Sequence, residues 1–316
     1  FGKTRFKSLG ASLEKLKNKR SKLAVLIILG STLNMMAQEN VEADSHAHNN
    51  MPTPEQIDSL LHVITPSKEH AASFGKLVIQ DAGGRMKPIN TFSSELLRKL
   101  SLKDKYTDFN SDQVFLSMML NPAAWYNAEF IALDKKGDND SIRKILDVEH
   151  ARKYIKATDF FNEKGEYKLT PFLREAYATN TPNQFQKDFK ALDERLVLLD
   201  QALGGEIVKI FPLLNDDNNK WISAVEYRGG QYQVSDSLYA NFIKNAVPFY
   251  LMSLEKAVKT GDYSEADKLL AAFKKNQENH GSEVLPSESK INAEVFYNKA
   301  DIYNKLYKYY ALVGLL

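Results

Sequence analysis

Two histidines, His46 and His48, sit two residues apart in the polar stretch "ENVEADSHAHNNMPTPEQ". On an extended chain that spacing turns both rings to one side. Neutral imidazoles so placed can hold a transition metal or serve as axial ligands to an iron porphyrin, although solvated linkers carry such residues too. A third histidine, His70, opens the segment "HAASFGKLVIQDAGGRMKPINTFSSELLRKLS", where it reads either as an exposed ligand or as a surface or capping residue. Further along, the turn "DAGGR" followed by Lys87 offers glycine amides, the guanidinium fork of Arg85 and an ammonium. That set suits an anionic group such as a haem propionate, and it equally suits an ordinary tight turn. His62, inside "LLHVI", reads as a packed residue, while His150 and His280 have no partners in sequence that would define a site.

The elements that must position these residues can be read from periodicity and punctuation. Lys76–Gln80 has the character of a strand, Asp81–Gly84 of its turn and Arg85–Ile89 of the returning strand, with Pro88 confining that strand to an edge. Asn90 or Thr91 is placed to cap a helix whose Phe92, Leu96, Leu97 and Leu100 share a face. A second helix starts at Asn110 or Ser111, presents Val114, Phe115, Met118 and Met119, and is ended by Asn121–Pro122. The clearest helix follows Thr181–Pro182 as cap and first-turn proline, runs through Phe185, Phe189, Leu192, Leu196, Leu199 and Leu203, and stops at Gly204–Gly205. "WISAVEYRGGQYQV" switches towards period two around Gly229–Gly230 and suggests a second hairpin. "VPFYLMSLEKAVKTGDYSEADKLLAAFKKNQ" reads as two antiparallel helices joined at Gly261–Asp262. The expected fold is therefore mainly α with one or two small β-hairpins.

Composition limits the function. The 316 residues are 43% apolar, enough for a packed core. No cysteine is present, which removes disulfides, thiolate metal sites and thiol chemistry. Residues 1–22 hold eight Lys/Arg against the single acid Glu14, a surplus of seven that leaves residues 23–316 at −5 within the total of +2. A body so charged is not built to hold a phosphate backbone, so no nucleic-acid partner is expected. No GxSxG, HExxH, Walker or Rossmann pattern occurs, and a secreted soluble enzyme would need a catalytic set that the sequence does not supply.

The two ends point to a membrane. "LAVLIILGSTLNMMA" at 23–37 would be roughly 22 Å long as a helix against a hydrocarbon core of about 30 Å, marginal as a span and also compatible with a signal-like segment. Its basic flank places the following chain outside the cytoplasm. Tyr303, Tyr307, Tyr309 and Tyr310 precede the apolar run Ala311–Leu316 in the manner of an interfacial aromatic belt, with an ordinary amphipathic terminal helix as the alternative. The expected organisation is a basic cytoplasmic loop at 1–22 and a transmembrane or signal-like segment at 23–38. A polar linker with a short helix follows at 39–69, then an extracytoplasmic, mostly helical domain at 70–300. Residues 301–316 would begin a next transmembrane helix, the whole being an internal piece of a larger membrane protein.

The run "FGKLVIQDAGGRMKPINTFSSELLRKLS", with "SDQVFLSMMLNPAAWY", "TPNQFQKDFK", "KIFPLLNDDNNKW", "VLPSESKINAEVFYNK" and "LYKYYALVGLL", resembles the large extracytoplasmic loop of Bacteroidetes-type cytochrome c biogenesis proteins, and the initial "FGKTRFKSL" is similar to the cytoplasmic loop that follows the last membrane helix of their ResB-like portion. These are fused system II cytochrome c synthases, of the CcsA/ResC type joined to a ResB-like part. The resemblance implies a bacterial cytoplasmic membrane protein with residues 39–300 on the periplasmic side. Its parent would export haem and support haem attachment to apocytochrome c. The implied partners are haem, apocytochrome c, the ResB-like portion of the same synthase and the membrane. Trp125 and Trp221 are isolated, however, and the family's Trp-rich haem motif has no counterpart here. What the resemblance leaves to this segment is support or docking, with His70, Arg85 and Lys87 as contact candidates and His46 with His48 as a possible ligand pair. The competing expectation is a non-catalytic scaffold that binds a peptide or membrane subunit without touching haem.

Overall fold

A computed structural model describes residues 52–133, 140–300 and 302–314; His46, His48 and the apolar segment 23–37 lie outside the described residues. The described chain is mainly helical, with small antiparallel hairpins. In chain order it forms α1 (Pro54–Ile64), α2 (Lys68–Phe74), β1 (Val78–Gln80), β2 (Met86–Pro88), α3 (Ile89–Ser101), β3 (Lys105–Tyr106), β4 (Phe109–Asn110), α4 (Ser111–Leu120), α5 (Pro122–Asn127) and β5 (Ile131–Ala132). It continues with α6 (Asp140–Leu146), β6 (Tyr154–Ile155), a 3₁₀ turn (Ala157–Phe160), α7 (Thr170–Ala178), α8 (Gln184–Leu203), β7 (Phe211–Pro212), β8 (Trp221–Ile222), α9 (Ala224–Arg228), α10 (Ser237–Thr260), α11 (Ser264–His280), α12 (Glu288–Ala300) and α13 (Ile302–Val313). Among the described residues no helix is long and apolar enough to cross a membrane.

These residues divide into two compact units. One draws on the chain up to Asp58 together with Ala123–Leu196, the other on Ser59–Pro122 together with Val197–Leu316. The first is built on aromatic packing. Trp125 meets Phe130 edge-on at 5.2 Å, and Phe172, Phe185 and Phe189 stack along α7 and α8. Its buried acid, Asp193, accepts from the hydroxyls of Tyr167 (2.6 Å) and Tyr177 (2.9 Å), which compensates the cost of removing a carboxylate from water.

The second unit carries the opening motif. β1 pairs with β2 in the register Val78↔Pro88, Ile79↔Lys87, Gln80↔Met86, and all three β1 residues are buried. Two distant glutamines complete its hydrogen bonding. Gln277 on α11 accepts from Val78 N (3.1 Å) and donates to Val78 O (2.7 Å) and Ile210 O (3.2 Å). Gln80 accepts from Trp221 N (2.7 Å) and donates to Asn219 O, while its own amide donates to Lys209 O. Around this centre pack Phe74, Phe115, Tyr250, Phe273 and Phe211.

Three local expectations give way to stronger contacts. α3 begins directly at Ile89, because Ile89 N and Asn90 N donate to the carbonyls of Leu77 and Gly75 (both 2.8 Å). Its first turn is thus satisfied by backbone, and the side chains of Asn90 and Thr91 are left for other work. α8 is capped by Asn183 rather than Thr181, since Asn183 and Gln186 exchange side-chain-to-backbone bonds in a capping box. Trp221–Ile222 does not fold back across Gly229–Gly230. It pairs with Phe211–Pro212, and "AVEYR" is helix α9, begun by a Ser223–Glu226 capping box and ended at Gly229.

Replacing Gln277 by Leu strands Val78 N–H, Val78 C=O and Ile210 C=O in the core. We expect a loss of at least about 2 kcal/mol, read as a lower urea midpoint with an unchanged slope. A midpoint within error of the parent's would show that β1 does not depend on this side chain.

Candidate functional site

The turn after β1 is closed by its own first residue. Asp81 Oδ1 accepts from Gly83 N (2.9 Å) and Arg85 N (3.0 Å), and Gly84, at φ 84°, takes the left-handed position that only glycine fills without strain. The amides that would cradle an external anion therefore already hold a carboxylate. Its second oxygen meets Lys87 Nζ at 2.7 Å, and Lys87 also binds Glu95 at 2.9 Å. Lys87 is 4% exposed. Burial alone would push the Lys87 ammonium down, but the two carboxylates outweigh it and hold it above its usual value. Likewise burial pushes Asp81 up, and the bonds from Lys87 and the turn amides reverse that and hold it low.

Arg85 points outward, its side chain 60% exposed, and donates from Nη2 to Glu294 of α12 at 2.9 Å. Glu294 accepts in addition from Thr91 (2.8 Å). One turn on, Asn298 donates to Thr91 Oγ1 (2.8 Å) and Asn90 Oδ1 (3.1 Å). Asn90 in turn donates to the buried Asp112 (2.7 Å), whose other oxygen receives Ser93 (2.6 Å). Burial pushes the Asp112 carboxyl up, against these donors. Gly75 lets this carboxylate approach, since a Cβ there would stand 2.7 Å from Asp112 Oδ2.

His70 is 3% exposed and engaged at both nitrogens. Nδ1 lies 2.7 Å from Asp267 of α11, and Nε2 lies 2.8 Å from the Tyr250 hydroxyl of α10. Burial, with the charge of Asp267 and the neighbouring Tyr263, lifts Tyr250 well above its usual value, so its hydroxyl stays a donor. That fixes the tautomer: Nδ1–H donates to Asp267, and Nε2 accepts from Tyr250. The ring also leans on Tyr263 at 5.0 Å, whose hydroxyl accepts from Ser67 N.

Beside this triad runs a cleft of about 430 Å³. One wall is a single face of α11: Asp267, Leu270, Ala271, Lys274, Gln277 and Glu278. Lys76, Leu77 and Val78 form the floor, and Leu285, Pro286 and Ile291 the opposite wall. Glu288 and Asn292 of α12 complete the rim.

The structure brings Arg85 and Lys87 onto one hairpin and sets His70 apart at the α10–α11 hairpin. Neither His70 nor Lys87 is placed to meet haem. His70 has no ring nitrogen left for iron, Lys87 is spent on two carboxylates, and among the described residues no group of three or more His, Asp or Glu is placed to hold a metal. His62, expected as packed, is instead partly exposed, its ring tilted against Phe109 at 4.8 Å with Asp108 3.4 Å from Nε2. The partners Asp267, Tyr250, Glu95 and Glu294 left no mark in the sequence. Asp81 did, as an acid opening a Gly-Gly turn.

This geometry defines a mainly helical protein in which Asp81, Lys87 and Glu95 pair around a hairpin and His70 pairs with Asp267 beside it. No family model matches the chain. It is 30% identical over 253 residues to Protein NrfI of Wolinella succinogenes, a match covering 79% of this chain and 26% of that protein. The chain thus spans about a quarter of the length of the curated relative it matches.

Burial, only partly offset by Asp267, holds His70 below the ordinary value of 6.5. The unfolded chain then gains a proton that the folded one resists, so stability is complete above about pH 6.5 and is lost as pH falls from there through the folded value. His70→Gln should abolish that part of the slope. Urea midpoints at about pH 5 and pH 7 check it, and equal slopes in both proteins would show that the triad does not sense pH.

Proposed function

We propose that this chain is the extracytoplasmic support segment of a cytochrome c biogenesis protein, a fused system II synthase in the bacterial cytoplasmic membrane. In this reading residues 1–22 are cytoplasmic, 23–38 span the membrane, 39–300 lie on the periplasmic side and 301–316 lead into the next span. The parent exports haem and promotes its attachment to apocytochrome c. This segment docks the apocytochrome and braces the ResB-like portion, while haem is held elsewhere. The observation that carries the proposal is the likeness to Protein NrfI over 79% of this chain, together with the quoted motifs. The engagement of both His70 nitrogens favours docking without haem contact over a haem relay through that residue.

Within this reading the three contact candidates divide their work. Arg85 is the exposed cation that a client meets. Lys87 and His70 are positioning residues, one holding the turn that presents Arg85, the other fixing the α10–α11 hairpin behind it.

Arg85→Glu in the whole parent protein should lower holocytochrome c yield by roughly threefold to tenfold, the loss expected for reversing one rim charge. Yield is measured by haem-stained gel at matched parent abundance. An unchanged yield would sink the docking role of Arg85, and Arg85→Lys is expected to retain most of it.

A further inference from the structure

The cleft along α11 has a shape and lining that the hairpin contacts do not use. Its α11 residues fall at positions i, i+3, i+4, i+7, i+10 and i+11 from Asp267, which is one helix face over about three turns, or roughly 16 Å. So long a trough suits a stretch of polypeptide better than a compact metabolite. Leu77, Val78, Leu270 and Ala271, facing Leu285, Pro286 and Ile291, give it an apolar interior large enough for one or two side chains.

The cleft is lined by three carboxylates, Asp267, Glu278 and Glu288, against two lysines, Lys274 on the rim and Lys76 on the floor. Lys274 lies 3.4 Å from Glu288 and 4.0 Å from Glu278, so its charge is already answered within the rim. The surplus is negative. The wall made by α12 is lightly packed: only Val295 of that helix is buried, and Glu294 and Asn298 attach it to Arg85, Thr91 and Asn90 by polar bonds. That wall therefore rests on less buried apolar area than α11, which buries Ala266, Leu270 and Phe273.

We infer that the α11–α12 cleft is a peptide site that takes an apolar side chain of an unfolded polypeptide segment with a lysine or arginine beside it. This deepens the docking reading and rests on it for the identity of the client. A protein still lacking the prosthetic group that its core is built around exposes such apolar residues until it folds.

Fluorescence anisotropy on the full chain tests this with three labelled peptides. The first carries an alkylated C-x-x-C-H site flanked by Leu and Lys, the second has the same Leu and Lys content without that site, and the third replaces Lys by Glu. Ala271 is exposed, so Ala271→Trp fills the cleft without disturbing the core. The first two peptides should bind, and the Glu peptide should bind at least about tenfold more weakly, as should either of the first two to Ala271→Trp at unchanged melting temperature. Equal binding to Ala271→Trp, equal binding of the Glu peptide, or no binding of any peptide overturns the cleft site. Binding of the second peptide without the first, lost in Ala271→Trp, supports the site and removes apocytochrome as its client.

Discussion

A strand of three residues buried on both faces exposes no backbone group to water, so every donor and acceptor on it needs a partner inside the protein. β1 meets that demand only in part by pairing with β2. The remainder falls to Gln277, which presents both ends of its amide to Val78 across 199 residues of sequence, and to Gln80, whose amide joins the β7–β8 segment. A side-chain amide has the same donor and acceptor as a peptide unit, so each glutamine stands in for one residue of a missing strand. Because β1 and the segment before it also form the floor of the cleft and lead into the Asp81 turn, the hairpin, α11 and the β7–β8 ladder are held in one register by these two side chains.

A contrast in chemistry follows along the same unit. Where α11 meets the core it does so through Leu270, Phe273 and Gln277, all buried. Where α12 meets α3 it does so through a relay of hydroxyls, amides and carboxylates running from Arg85 through Glu294, Thr91, Asn298 and Asn90 to Asp112. Apolar contacts lose free energy in proportion to the area re-exposed, whereas a polar bond is directional, contributes about 1 kcal/mol net and costs more when a buried partner is stranded. One wall of the cleft is therefore held mainly by apolar burial and the other mainly by directional polar bonds. The relay ends in the core at Asp112, with Ser93 and Asn90 on its two oxygens.

Legibility followed the range of the interaction. The hairpin at 78–88, the helices with four or more spaced apolar residues and the α10–α11 turn at Gly261 were all written in neighbouring residues, and the structure places them close to where the pattern does. The second hairpin departs from its local pattern because Trp221–Ile222 pairs with Phe211–Pro212 upstream, while a local capping signal, Ser223 with Glu226, turns the next five residues into helix. The division into two units had no signal at all. Its boundaries, after Asp58, Pro122 and Leu196, fall inside α1, α5 and α8, so no Gly/Pro/Ser linker marks them.

The candidate site shows the same limit more sharply. His70, Arg85 and Lys87 were visible as residue types, but what each can do depends on carboxylates as far as 209 positions away. A cation in sequence is a free charge only until its partner is known. Lys87 finds two acids and becomes internal structure, His70 spends both nitrogens on Asp267 and Tyr250, and Arg85 keeps an open face because Glu294 occupies one edge of its guanidinium. The "DAGGR" turn follows the same logic within five residues, since the acid that opens it fills the cradle that the glycines build. At these positions the charges that the sequence offers to an outside ion are met from within. What remains open is an apolar trough with a slightly negative rim, a surface whose affinity comes from side-chain burial and whose selectivity comes from the charge at its edge.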